Sequence, residues 1–567
     1  MGRAAGFALR TERLGPLPIV QHFLRRLQLD PVLEQCVPTT DRRAGLPAAK
    51  ALGVLVRSIV VEREPIYRQH ETVCGFAPEA FGLDPGEAQR LGDDGLGRAL
   101  DRLFNADRGA LLTAVVVSCR RRFGVRCDEL HNDSTTVRFT GQYRGARGRQ
   151  LRGRRAPWIT YGYSKDHRPD LKQLLYVLTT SGDGGVPVQF RCGDGNTNDA
   201  TTHIATWEAL RAVAGRPDFL YVADSKLCTL ENMQHLDGQG GRFVTVLPRT
   251  RLEDEEFRRW IQTHDPAWEV AVDRPNPRRA EGPRDRWWVF RHPLPSREGW
   301  PVIWVHSALL ALSQQSSRRE RIAKAQEALD DLAARLVRGR SRRRQKSEVE
   351  RTVAELLGRL NVRRYVTARV EIEREHQYRQ ITPGRPGPQT RYRRLTKKHL
   401  RLRWSVDEPI VAYDLKSDGM YPLLTNDRAL TPTQVLEAHK RQPTIEKRFE
   451  QLKSVHEIAP VFLKNEGRIE AFFVIYFLAL LVQALIEREL RQAMEREQIP
   501  ALPLYPEERA CRRPTTEQVL RLFAHLERHH LSRHDRRRQV FDPQLSPLQA
   551  QVLHLLGVPH SAYRSRP

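Results

Sequence analysis

Residues 431–453 read TPTQVLEAHKRQPTIEKRFEQLK. Thr431 suits a helix N-cap, Pro432 suits the first turn, and Gln434 stands at capping-box spacing from Thr431. Pro443 has no amide hydrogen to give a continuing helix, so the spacing predicts a kink or a restart there. Beyond it, Glu446, Phe449, Glu450 and Lys453 fall at i, i+3, i+4 and i+7, which assigns them to one helical face. Glu446 and Lys453 are then two turns apart, about 10 Å at a rise of ~1.5 Å per residue. That separation forbids a direct pair, yet both side chains can meet one extended anionic ligand.

Composition narrows the ligand. The chain has 567 residues, long for one core, so about two to four domains are expected. Lys and Arg number 94 against 68 Asp and Glu, a formal net charge of +26. Such an excess favours a polyanion, most simply nucleic acid. Apolar residues at 40% and nine Trp indicate a folded chain. The seven Cys form no CxxC pair and no metal-ligand spacing, which suits free thiols in a reducing cytosol. The N-terminal residues lack the apolar stretch of a signal peptide. The longest apolar run, 471–482, is 12 residues, the length of a buried helix rather than a membrane span. A cytoplasmic protein without membrane association is expected.

Along the chain, 1–124 carries helical periodicity (Leu17, Val20, Phe23, Leu24, Leu27, then Leu52, Leu55, Ile59, Val60) and reads as a helical DNA-end-binding or dimerisation domain. The texture changes at 125–248. CDELHNDSTTVRFTG predicts a strand with Asp133 inside it, and FLYVADSK predicts a short apolar strand running into Asp224. Strands at 170–180 and 186–196 and a helix at 200–215 complete a mixed α/β sheet, on which the end of an apolar strand is a common place for a catalytic residue. GYSKDHRPDLKQ (162–173) reads as a basic lip able to contact phosphates, and GDGNTND (193–199) as a polar loop. Residues 249–430 form an insertion: a helical hairpin with a basic tip, RGRSRRRQK (338–346), then strands at 366–372, 399–404, 410–415 and 420–426. Core helices follow in 431–495, and 496–567 reads as a basic helical tail.

Asp133, Asp224 and Glu446 are carboxylates of the kind that hard magnesium or manganese ions require. In this order, with NDST around Asp133, VADS around Asp224 and IEKRFEQLK holding Glu446 and Lys453, the chain resembles the DDE insertion-sequence transposases. More narrowly it resembles the bacterial branch whose third acid lies in a Tyr-x2-Arg-x3-Glu-x6-Lys motif; GYSKDHRPDL and DGNTND are similar to that branch's elements between the first two acids. The resemblance spans about residues 90–495. It implies an α/β, RNase H-like catalytic core interrupted by the large mixed insertion, with helical N- and C-terminal regions. It also implies metal-dependent cleavage at terminal inverted repeats and strand transfer to target double-stranded DNA, by a homodimer because two ends are processed together. Asp133, Asp224 and Glu446 would hold Mg2+ or Mn2+, and Lys453 would neutralise a phosphate. Lys165, Arg168, Arg441 and Arg448 would assist on the DNA.

One part of the motif is broken. His439 stands where the Tyr belongs and Gln442 where the Arg belongs, with Lys440 and Arg441 adjoining as candidate replacements for the charge. Three other readings compete: a metal-dependent nuclease that cuts without joining, an inactive or domesticated DNA-binding descendant, and a non-enzymatic RNA-binding protein. The last needs no carboxylate trio, and no aromatic RNA-binding motif is present.

Overall fold

The computed structural model describes residues 7–39, 45–276, 281–337, 345–533 and 536–565. All but the last two residues of the basic run 338–346 therefore lie outside the described residues. The chain is mixed α/β and divides into two compact units. One comprises 1–245, 425–427 and 437–567; the other comprises 246–424 and 428–436.

In the first unit, neighbouring strands run in the order Pro187–Gly193, Lys172–Ser181, Glu129–Phe139, Leu220–Ala223, Arg242–Val246. The first three are mutually antiparallel. Leu220–Ala223 then joins Glu129–Phe139 in parallel and takes Arg242–Val246 in parallel on its other side. A parallel pair needs a crossover, and helix His203–Ala214 lies in the connection from Pro187–Gly193 to Leu220–Ala223. Lys172–Ser181 is buried at nearly every position, as expected of a strand covered on both faces.

Helix Glu466–Arg496 is the packing axis of this unit. By length and composition it is apolar enough to cross a membrane, but 94% of its apolar window is buried inside the protein. Phe473 and Phe477 meet Tyr176 and Phe190 of the sheet. Leu17, Phe23, Leu52 and Leu100 of the N-terminal helices, and Val519 and Leu553 of the tail, belong to the same continuous core. Residues 1–124 thus share their core with the sheet.

The tail differs from the helical expectation. Its first helix stops at Leu522, and Glu527–Arg533 is a strand paired antiparallel with Phe7–Arg13 on one side and Arg536–Phe541 on the other. A partner more than 500 residues away in sequence completes that ladder, so local periodicity carried no sign of it. Helix Pro547–Leu555 is present, with a reciprocal Ser546–Gln549 capping box.

In the second unit, strands Glu269–Arg274, Asp285–Arg291, Val302–Ser307 and Met420–Thr425 pair antiparallel in that order. Phe257 stacks on Trp304 at 3.6 Å between ring centroids and 12° between planes. Helices Ala308–Val337 and Lys346–Arg359 form the expected hairpin, and with strands Val366–Gln380 and Tyr392–Val406 they enclose a separate core around Ala325, Leu329, Val349 and Val366. The strand expected at 410–415 is instead a helix, Glu408–Leu415. The Asp407 carboxylate accepts from Ile410 N at 3.1 Å and Pro409 stands in the first turn, so capping chemistry outweighs the β-propensity of Ile410 and Val411.

Because Phe477 is fully buried at the contact of helix and sheet, Phe477→Ala is expected to destabilise the protein by about 3–5 kcal/mol. Urea unfolding of the two proteins measures the difference.

Candidate active site

Asn132 pairs with Ala223 across the parallel strands, so Asp133 and Asp224 are the next residue on each. Neighbouring strands are ~4.8 Å apart and residues in step point to the same face, which brings the two carboxylates to one side of the sheet. The Asp133 carboxylate accepts from the Ser134 amide at 2.7 Å, and that of Asp224 from Lys226 N at 2.9 Å.

Lys165 enters this acidic corner. Its ammonium lies 3.5 Å from Asp133 and 2.8 Å from Asp199, and it donates to the carbonyl and hydroxyl oxygens of Ser134 at 2.7 Å each. Burial works against the charge on Lys165, but Asp133 and Asp199 hold its proton more firmly than usual. Burial pushes the Asp133 carboxyl up to about 6; Asp224 and Asp199 add to the rise, and Lys165 opposes it. Two glycines permit the close packing behind Lys165. A Cβ on Gly162 would stand 2.0 Å from the Gly195 carbonyl oxygen, and one on Gly195 2.1 Å from that of Gln173. This is why GYSKDH and DGNTND, far apart in sequence, lie against each other. Tyr163 of the first and Tyr161 just before it are exposed, the former 87% accessible, an aromatic edge signalled in the sequence by the YGY triplet 161–163.

The helix of the third acid restarts as expected: one helix ends at Arg441 and the next begins at Pro443. Thr431 and Gln434 make the reciprocal cap. Gln442 is buried between the helices, donating to Asn132 O at 3.0 Å, with its oxygen 3.1 Å from His131 Nδ1. The other ring nitrogen of His131 is 2.8 Å from Glu129. Arg441 closes the group with two bonds to Glu129, at 2.5 and 2.7 Å. Burial disfavours an ionised Glu129, but the bonds from His131 and Arg441 prevail and hold its carboxyl at about 2. Burial, with the His131 and Lys440 charges in the same direction, lowers His439 to about 4 and leaves its ring neutral near pH 7.

Glu446 lies one turn beyond Gln442, exposed on this anchored helix. Among the described residues it makes no ion pair, and no three His, Cys, Asp or Glu side chains are grouped to hold a metal; between Asp133 and Asp199 stands the Lys165 ammonium. The structure thus brings Asp133, Asp224, Asp199 and Lys165 together and leaves Glu446 outside their contacts. Of the other acids nearby in sequence, Asp128 pairs with Arg216. Asp194 holds Arg155 and the Trp158 amide. The single face expected for 446–453 also divides: Phe449 is buried, and a π-helical turn at Gln451–Val455 adds a residue before Lys453 is in place.

Five cations expected on the DNA have acidic partners within the fold. Lys453 meets Asp166 at 2.6 Å, Arg168 meets Asp170 at 2.7 Å, Arg441 is engaged by Glu129, and Lys165 lies in the acidic corner. Arg448 departs furthest from its expected role. It is 1% exposed, paired with Glu487 at 2.7 Å and donating to the carbonyls of Gly185 and Gly184 at 2.8 and 3.0 Å. Its place is in the core, where it ties the Glu446 helix to Glu466–Arg496.

Residues 130–482 match the family model described as "Transposase DDE domain". No curated protein matches the chain.

Removing one partner of a buried ion pair costs about 3–5 kcal/mol, so Arg448→Ala is expected to lower stability by that order while leaving the salt dependence of DNA binding unchanged. Urea unfolding and DNA titrations at several salt concentrations measure the two. Glu129 has its folded-state pKa depressed, so its contribution to stability is complete above about 4.5 and is lost as pH falls through about 2. Glu129→Gln is therefore less stable than wild type at neutral pH, and the difference shrinks across that window in urea midpoints taken against pH.

Proposed function

Because the chain belongs to the transposase DDE-domain family, we propose that it cuts double-stranded DNA at the terminal inverted repeats of a bacterial insertion sequence and joins the freed 3′-hydroxyls to target DNA. The observation that carries this reading is the parallel pairing that sets Asp133 and Asp224 on adjacent strands, beside a helix bearing Glu446 that Gln442 and Arg441 tie to the Asp133 strand. Mixed parallel and antiparallel neighbours around Asp133 are consistent with an RNase H-like core.

The residues fit a divalent metal. Asp133, Asp224 and Glu446 offer hard carboxylate oxygens suited to magnesium or manganese, and the corner between Asp133 and Asp199 already holds a cation, the Lys165 ammonium. When bound, the metal supplies positive charge against the scissile phosphate and helps activate the attacking oxygen. The chain's own residues do the rest. Asp133 and Asp224 would supply two ligands from adjacent strands, and Glu446 the third from its helix. Lys165, already bonded to Asp199, would remain there or turn to a phosphate, leaving Asp133 free as a ligand. Lys453 exchanges Asp166 for a phosphate. Processing of two ends in concert calls for a homodimer on DNA.

Gln442 replaces the motif's Arg with a hydrogen-bonded anchor, and Arg441 serves Glu129 rather than a phosphate. The charge-substitution role expected for Arg441 therefore becomes a positioning role for the Glu446 helix.

In magnesium, with purified chain and a duplex carrying the element's ends, Asp133→Asn, Asp224→Asn and Glu446→Gln are each expected to lower cleavage by about 100- to 1,000-fold or more, the scale for removing a charge-stabilising group. End binding should stay largely intact. Wild-type cleavage by Glu446→Gln would remove Glu446 from the site and bring Asp199 forward in its place. Joining of pre-cleaved ends to a target plasmid separates the transposase from a nuclease that only cuts.

A further inference from the structure

Strands Val366–Gln380 and Tyr392–Val406 form a two-stranded antiparallel ribbon, each strand 15 residues long, or about 50 Å at ~3.3 Å per residue. Its two faces differ in kind. On one, Val366, Val370 and Leu402, with Ala368, Leu400 and Trp404, pack on the core of the helical hairpin. Past Ile372 and Leu400 the same face continues beyond its apolar support as the cross-strand pairs Arg374 with Lys398, His376 with Thr396, Tyr378 with Arg394 and Gln380 with Tyr392. Tyr378 is 66% exposed and Tyr392 49%.

The opposite face is ion-paired over its proximal half. Glu371 pairs with Arg403 at 3.0 Å, Glu373 with Arg401, and Glu375 with His399 at 3.1 Å. No such partner reaches the distal pairs: among the described residues Arg374, Arg394 and Lys398 make no ion pair. The sequence explains this, since residues 376–406 hold nine Lys and Arg and no Asp or Glu. Arg374 directly opposes Lys398, and Arg379 directly opposes Arg393. Like charges directly opposed across a ribbon are destabilising, and an isolated two-stranded ribbon is at best marginal in water. Folding alone gives no reason for this arrangement, whereas a polyanion laid along the ribbon relieves it.

We propose that the distal half of this ribbon is a DNA-gripping arm, in which Arg374, Arg394 and Lys398 contact the phosphates of a duplex and Tyr378 and Tyr392 lie against its backbone. A two-stranded ribbon matches the ~12 Å width of the major groove. Flexible cations and tyrosine hydroxyls contact phosphates and sugars without reading bases, so the grip is independent of sequence. The proposal rests on the transposase reading only for the identity of the polyanion.

The test uses the full-length chain with the triple variant Arg374→Ala/Arg394→Ala/Lys398→Ala, and fluorescence anisotropy on a duplex of unrelated sequence and on one carrying the element's ends. Affinity for both is expected to fall alike, by tenfold or more, and the slope of log affinity against log salt to drop by about 2.7, or ~0.9 for each of the lost contacts. The melting temperature should hold or rise, because a like-charge pair has been removed. Arg394→Glu/Lys398→Glu should weaken binding further. An unchanged slope and affinity overturn the arm, and so does tighter binding of wild type to RNA than to the duplex. Cleavage of the element's ends by wild type is scored in parallel. If it persists while the ribbon variant binds normally, the arm fails and the transposase stands; if wild type cuts nothing yet the variant loses binding, the arm stands and the transposase reading fails.

Discussion

The acidic corner depends on one parallel contact, the ladder that runs from Glu129 and Leu220 to Asn132 and Ala223. In a parallel pair the residues that follow a paired position stay in step on one face, and here those residues are Asp133, inside its strand, and Asp224, just past the end of its own. The rest of the first unit maintains that contact. Buried Lys172–Ser181 flanks it on one side and Arg242–Val246 on the other, while Glu466–Arg496 fills the space behind. Burying a carboxylate there has an electrostatic cost, to which the neighbouring Asp224 and Asp199 add, and it is visible in the raised pKa of Asp133. Lys165 offsets part of it. An ammonium held by two carboxylates and the oxygens of Ser134 leaves the corner charged but compensated.

Position of the third acid is governed from outside the acid itself. Gln442 and Arg441 form a polar clamp with Glu129, His131 and the Asn132 carbonyl, and Arg448 adds a buried tie to Glu487. Both clamps act on the helix that carries Glu446, one at its start and one in its last turn. An exposed carboxylate on a helix anchored in this way has freedom in its side chain but little in its backbone.

Charge, the most visible property of the sequence, proved the least simple to locate. Net charge says that a polyanion is wanted, not which cations face it. Near the acids, Lys165, Arg168, Arg441, Arg448 and Lys453 all have acidic partners within the fold, whereas the ribbon of the second unit carries Arg374, Arg394 and Lys398 with none among the described residues. Ion pairing depends on what lies across a few ångströms of space, and a composition count has no access to that.

The sequence by itself determined what rests on local chemistry. The Thr431 cap, the restart at Pro443, the strand through Asp133, the strand ending before Asp224 and the helical hairpin each follow from neighbours within a few residues. Even there a local contest was misjudged at 410–415, where the Asp407 cap outweighs two β-branched residues. Tertiary structure alone decided what depends on distant partners: the strand at 527–533, completed by Phe7–Arg13; the anchoring of Gln442 on His131 and the Asn132 carbonyl; the burial of Arg448; and the entry of Lys165 between Asp133 and Asp199. The physical reason is the same in each case. A backbone hydrogen bond or a charge takes its role from the group it meets, and these groups come together only when segments tens to hundreds of residues apart have folded onto one sheet.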